Sequence, residues 1–138
     1  MQSNTLKIGI AYRPPSQNLE NTICFANTVR DLLQNASNYV VLGDFNFTGI
    51  DWAQGLTSNS GESHFYNILN ELNATQMVNE PTTQYDSLLD LCIGSNDTIA
   101  SDVEVGEYFS TSDHSIITCN LNIPFVKHKE KPSLLKNF

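Results

Sequence analysis

The chain has 138 residues, 40% of them apolar, and carries a formal charge of −8. That is enough chain for one domain with a real core, and the composition excludes a disordered protein. No run approaches the roughly 18 apolar residues of a membrane span, and the start "MQSNTLKIGIAYRPP" has no basic region followed by an apolar stretch, so an intracellular setting is expected.

Charge is spread unevenly. After Phe125 come Lys127, Lys129, Lys131 and Lys136 against Glu130 alone, a balance of +3 that leaves −11 on residues 1–125. Such a body is poorly composed for gripping DNA mainly through Lys and Arg contacts to phosphate. It suits a carboxylate-rich site for a divalent cation, although most single acids on a surface are simply solvated. Cys24, Cys92 and Cys119 lack metal-ligand spacing, and each sits among apolar residues. They are expected to be buried free thiols.

In chain order, "LKIGIAY" over Leu6 to Tyr12 alternates as a strand does, and Pro14-Pro15 ends it. Leu19, Ile23, Ala26, Val29 and Leu33 recur at helical spacing, which predicts a helix over about 18–35. Tyr39 to Asp44 reads as a strand and Gly49 to Gly61 as a loop. Phe65, Ile68, Leu69 and Leu72 predict a second helix over about 62–72. Four further strands are expected at Gln76 to Val78, Leu88 to Ile93, Ile99 to Val105 and Ser115 to Ile123. The class is therefore α/β with an antiparallel latter half. Strands such as "VVLGDF" look apolar on both faces. Two helices cannot cover both faces of one sheet, so part of the domain is expected to be missing. The domain is expected to span 1–124, with 125–138 a basic linker tail.

Four segments carry chemical possibility. In "VVLGDFNFTGIDW" the apolar strand ends in Asp44-x-Asn46, with Phe45 and Phe47 between and after them. Alternation places Leu42, Asp44 and Asn46 on one face. A carboxylate and a carboxamide there can hold a metal, a water or a phosphate oxygen, or can cap a turn. Asp90 lies inside the apolar run "SLLDLCIG", where a carboxylate costs desolvation unless it is paired. Outside the tail the basic partners on offer are Lys7, Arg13, Arg30, His64 and His114. An Asp–His pair would fix one imidazole tautomer, whereas an Asp90 at a strand edge could face solvent. Asp113-His114 sets an acid beside a group able to donate or accept a proton, and the same triplet "SDH" also suits a turn. Tyr12-Arg13-Pro14-Pro15 closes the first strand. His64 and His128 have no assigned role.

Taken in order, "YRPP", "GDFN", "LLDL" and "SDH" resemble the endonuclease/exonuclease/phosphatase family. More narrowly the chain is similar to the endonuclease domain of non-LTR (LINE-type) retrotransposons, with "YRPP" and "GIDW" pointing to that branch. The resemblance spans residues 6–124. It implies the DNase I-like fold, a four-layer α/β sandwich of which this chain would supply the C-terminal part. It implies Mg²⁺-dependent cleavage of DNA, with Asp44 activating water and Asn46 binding a phosphate oxygen. His114 would donate to the phosphate, Asp90 would hold His114, Tyr12 would position the phosphate or assist the leaving oxygen, and Asp113 would help bind Mg²⁺ directly or through water. Family members begin with a strand bearing Asn and a strand ending in a metal-binding Glu. Neither is found here, so an N-terminally truncated domain with weak Mg²⁺ binding is expected. Thr83 stands where relatives often carry Arg. A missing N-terminal half-domain and a downstream reverse transcriptase are the implied partners, no membrane is, and the implied location within an active element is nuclear. A non-catalytic remnant, and a phosphodiesterase or phosphatase acting on a non-DNA substrate, are the alternatives.

Overall fold

A computed structural model describes residues 5–122. The basic tail assigned to 125–138 lies outside them. The elements run β1 Leu6–Tyr12, α1 Leu19–Leu33, β2 Asn38–Asp44, α2 Ser60–Glu71, β3 Thr75–Gln76, β4 Asp90–Gly94, β5 Ala100–Tyr108 and β6 Ser115–Leu121. Both helices begin on an asparagine cap. Asn18 accepts from the backbone N–H of Asn21, and Asn59 accepts from that of Glu62. A side-chain oxygen there satisfies an N–H that the helix itself leaves without a partner.

The main sheet has the order β1-β2-β4-β3. α1 carries the chain from β1 to β2, which lie parallel with Tyr12 in register with Asp44. β4 runs antiparallel to β2 and sets Asp90 opposite Asp44. This register decides where the chemistry sits, because both carboxylates reach one end of the sheet. β5 and β6 form a separate antiparallel pair.

Strands β2 and β4 are indeed buried on both faces, but the second face is not bare. On the helix side, Val41, Leu91 and Ile93 pack with Ala26, Val29, Phe65 and Leu69. On the other side, Val40 and Cys92 pack with Ile99, Ala100, Val103, Ile117 and Leu121. The expected gap in cover is therefore filled at the sheet centre by β5 and β6. It persists at the β1 edge, where Ile8 is 56% exposed and Ile10 80%. A helix layer, a four-stranded sheet and a two-stranded sheet make three layers among the described residues.

Several strand boundaries shift from expectation, β5 for instance running on to Tyr108, and two of the shifts have local side-chain reasons. β3 stops at Gln76 because the Gln76 side chain takes over the pairing. Its Oε1 accepts from Val78 N at 2.7 Å, and its Nε2 donates to Val78 O at 2.8 Å. β4 starts at Asp90 because the buried Thr82 hydroxyl oxygen accepts from Leu89 N and Asp90 N, both at 3.1 Å. The thiols also differ from expectation, since only Cys92 is buried while Cys119 is half-buried and Cys24 exposed.

Candidate active site

Three chain segments meet at the end of β2. The first is the turn after Asp44. Gly43 has φ +153°, and a Cβ there would lie 1.8 Å from the Ala11 carbonyl oxygen, so β1 can approach only a glycine. Beyond Asp44 the chain leaves the strand, because Asn46 has φ +50°. Asparagine tolerates that left-handed conformation better than most residues. Asn46 N then donates to Asp44 Oδ1 at 3.1 Å. The two side chains are thus brought together by a turn and not by the simple alternation of one strand. Phe45 and Phe47 do face the helices, where Phe47 stacks on Phe65 with ring centroids 4.5 Å apart.

Arg13 holds this turn, a part that sequence reasoning did not assign. It is only 7% exposed. Its Nη1 donates to Asn46 O at 2.9 Å and Phe45 O at 3.2 Å, and its Nη2 donates to Thr22 Oγ1 at 2.7 Å. Its guanidinium carbon lies 4.2 Å from the Phe47 ring centroid. In return, Asn46 Nδ2 donates to Arg13 O at 2.6 Å and Arg13 N donates to Asp44 O at 2.8 Å. Burial pulls the guanidinium pKa down, while the charge of Glu62 opposes that shift. The available signal was its place: an arginine directly after a strand in a body with only two other Lys or Arg residues, Lys7 and Arg30.

The second segment is Asp90 at the start of β4, and the third is Ser112-Asp113-His114. Thr83 pairs with His114 through an isolated bridge, Ser115 N donates to Thr82 O, and Gln84 N donates to Asp113 O. The turn at 82–87 thus ties His114 to β4. Thr83 itself is buried and its hydroxyl accepts from Tyr85 N and Ser87 N, so it serves this turn.

The outcome is a compact cluster. His114 Nδ1 donates to Asp90 Oδ2 at 2.7 Å, which resolves the question of Asp90's partner. His114 Nε2 is then turned toward Asp44 Oδ2 at 3.7 Å and Asp113 Oδ1 at 3.9 Å. Burial lowers the His114 pKa, but the Asp90 hydrogen bond and the charges of Asp90, Asp44 and Asp113 outweigh it, so the net shift is upward. Asp44 is also raised, first by burial and then by the Asp90 charge across the ladder, against hydrogen bonds from Asn46 and the charge of His114. Tyr12 stands in register with Asp44 at the strand ends, but it is exposed and makes no hydrogen bond to the cluster among the described residues. His64 lies apart from the cluster, where its Nε2 bonds Asn27 Oδ1 between the two helices.

One ligand atom each from Asp44, Asp90 and His114 lie within 4.8 Å of one another. Asp90 Oδ2 is taken by the imidazole, which leaves oxygens of Asp44 and Asp113 on the Nε2 side. Carboxylate oxygens completed by water and phosphate are the donors that Mg²⁺ takes. The raised Asp44 carboxyl fits a cation too, since positive charge would relieve its repulsion with Asp90.

A family model described as endonuclease-reverse transcriptase matches residues 6–118. The chain belongs to that family. The matched span takes in every member of the cluster. The fold is similar to the solved endonuclease domain of TRAS1, a telomere-specific non-LTR retrotransposon, with a TM-score of 0.58 at 17% identity. That likeness covers 83% of this chain and 56% of the TRAS1 chain, so this endonuclease-reverse transcriptase family member spans little more than half of that domain. The shared fold is of the DNase I-like type. No curated protein matches the chain. Among the described residues no helix is long and apolar enough to cross a membrane.

Proposed function

We propose that Asp44, Asn46, Asp90 and His114 form a centre that hydrolyses phosphodiester bonds in DNA, as in the target-nicking endonuclease of a non-LTR retrotransposon. The observation that carries this is the 2.7 Å contact of Asp90 with His114 Nδ1, which aims Nε2 at the space beside Asp44.

Asp90 fixes the tautomer and favours the protonated imidazole, so His114 Nε2–H donates to the phosphate as negative charge builds there. Asp44 orients the attacking water and accepts its proton, a task suited to a carboxyl held above its ordinary range. The Asn46 amide donates to Arg13 O and also hydrogen-bonds the Asp44 carboxylate, and in the complex it would exchange the Asp44 bond for one to a non-bridging phosphate oxygen. Tyr12 positions the phosphate from the rim. Asp113, with Asp44 beside it, would hold Mg²⁺, and the bound ion would supply charge that offsets the phosphate's own. A nuclear setting and a reverse transcriptase of the same element belong to this assignment.

A specific observation favours the second reading, a non-catalytic remnant: among the described residues the cluster contains no glutamate. Slow turnover is therefore expected. Relaxation of supercoiled plasmid by the purified chain separates the two. Slow nicking that needs Mg²⁺, stops with EDTA and is lost in His114→Ala supports hydrolysis. Nicking equal to a no-protein control supports the remnant. Preferential turnover of a small phosphate ester would reassign the substrate.

A further inference from the structure

The Asn46 turn borders a cavity that does not contain Asp44, Asp90 or His114. Arg13, Asn46 and Thr48 line about 420 Å³ of space together with Leu19 of α1 and Ser60 and Gly61 of α2. The first turns of the two helices meet there, since a Cβ on Gly61 would lie 2.9 Å from Thr22 Cγ2. α1 has 15 residues and α2 has 12, long enough for each to carry a dipole. Each N-terminus then acts as roughly half a positive charge.

Several donors at this cavity lack an acceptor among the described residues. Asn18 serves Asn21 N and Thr22 N, and Asn59 serves Glu62 N and Ser63 N. The N–H groups of Leu19, Ser60 and Gly61 are left over, as the first groups of a helix are. Independently of the helices, Arg13 Nε has no hydrogen-bond partner, on a side chain only 7% exposed. A buried donor left without an acceptor is costly. The acid lining the cavity is Glu62, and its carboxylate is engaged: Oε2 accepts from Gly49 N at 2.8 Å and Oε1 from Ser58 N at 3.0 Å. Glu20 stands in the first turn of α1 but does not line the space. Two helix starts, a guanidinium and unmet N–H groups suit an anion rich in acceptor oxygens. The cavity is roomier than a bare phosphate needs and takes one with its sugar attached. Asn46 joins this space to the cluster, because its amide also bonds the Asp44 carboxylate.

We propose that this cavity, between Arg13 and the N-termini of α1 and α2, seats a phosphate of the DNA strand next to the one being cleaved. The proposal rests on the cluster being the hydrolytic centre and adds a second contact to the same strand. Backbone N–H groups that hold a phosphate fix register and carry no base identity. They also give an acidic body with few Lys and Arg residues a grip on DNA that does not need such side chains.

The test is an NMR titration of the ¹⁵N-labelled chain in EDTA, first with inorganic phosphate and then with a short oligothymidine whose ends are hydroxyls. Both should shift the amide signals of Leu19, Ser60 and Gly61 and the Arg13 Nε–H signal, and the oligothymidine should also shift His114. Ser60→Asp sets a carboxylate at the seat while favouring the helix start. It should melt no lower than wild type and bind phosphate at least about tenfold more weakly. Ser60→Asn, neutral and of the same shape as the aspartate, should bind as wild type. Phosphate that leaves these signals unmoved, that moves them equally in Ser60→Asp, or that is lost equally in Ser60→Asn would overturn the proposal. So would an oligothymidine that shifts His114 but not these amides, which would mark a seat for free phosphate instead of the strand. Mg²⁺-dependent plasmid nicking with unmoved amides would sink the seat and leave the hydrolytic assignment standing. Amides that move with oligothymidine, without any nicking, would keep the seat and sink the hydrolytic centre.

Discussion

His114 Nδ1 lies 2.7 Å from Asp90 Oδ2, a contact made across 24 residues between the first residue of β4 and the residue before β6. It accounts for a carboxylate at the edge of an apolar strand, since a paired acid there avoids most of the desolvation cost of a lone one. The same contact leaves Nε2 facing Asp44 and Asp113.

Asp90→Asn keeps the shape and removes the charge. The imidazole pKa of His114 should then fall below its wild-type value, read as the pH midpoint of its ring proton shifts by NMR. The sign for stability follows from the raised folded-state value. Protonated His114 stabilises the fold; that contribution is complete below the ordinary imidazole range and is lost as pH rises through the folded value. The pH dependence of the wild-type melting temperature across that window should flatten in Asp90→Asn. An unchanged His114 midpoint would show that the pair is not charge-coupled.

Gly43→Ala tests the approach of β1 to β2. The new Cβ meets the Ala11 carbonyl at 1.8 Å in a backbone conformation that L side chains rarely adopt. The expected loss is at least about 3 kcal/mol, seen as a large fall in melting temperature. A melt within a degree or two of wild type would mean that the two strands can separate cheaply there.

Arg13→Lys retains the charge and loses the fork. One ammonium cannot serve the Phe45 and Asn46 carbonyls and the Thr22 hydroxyl from Arg13's position. A loss of about 2–3 kcal/mol in denaturant unfolding is expected. Because these contacts support the Asn46 turn, any cleavage rate should fall further than stability alone explains. A lysine variant equal to wild type in both would remove Arg13 from the site's support.

Much of this was legible in the sequence because strands and helices impose different periods. Leu6 to Tyr12 alternates, and Leu19 to Leu33 repeats at helical spacing, so both elements were found within a residue or two. Asp90 stood out because a charge in an apolar run needs a partner, and the body of the chain offered few. What stayed hidden depends on contacts far apart in sequence or on side chains replacing backbone. No period reveals that Gln76 ends β3 with its own amide, or that β5 and β6 cover β2 and β4. Asn46 has a positive φ, and its carbonyl is held by Arg13 from the end of another strand, 33 residues away in sequence. Nor did spacing reveal that Cys92 and Cys119 share one core between the sheets.

The thiols give a simple check on that core. Burial, followed by the neighbouring Cys119 thiol, pushes the Cys92 pKa up to about 12. Cys92 should therefore resist an aromatic disulfide reagent at pH 8 until the chain unfolds, while exposed Cys24 reacts in the mixing phase. Three thiols reacting together in the native protein would contradict the packing of β4 against β6.

The central claim is that Asp44 and His114 act as one hydrolytic unit. Its most direct test is the Mg²⁺-dependent plasmid nicking rate of wild type, Asp44→Ala, His114→Ala and the double variant. Each single change should cost at least about a hundredfold, and the double should cost little more than the worse single, because residues that act together lose their effect together. Near wild-type nicking by either single variant, or losses that multiply in the double, would contradict a shared centre.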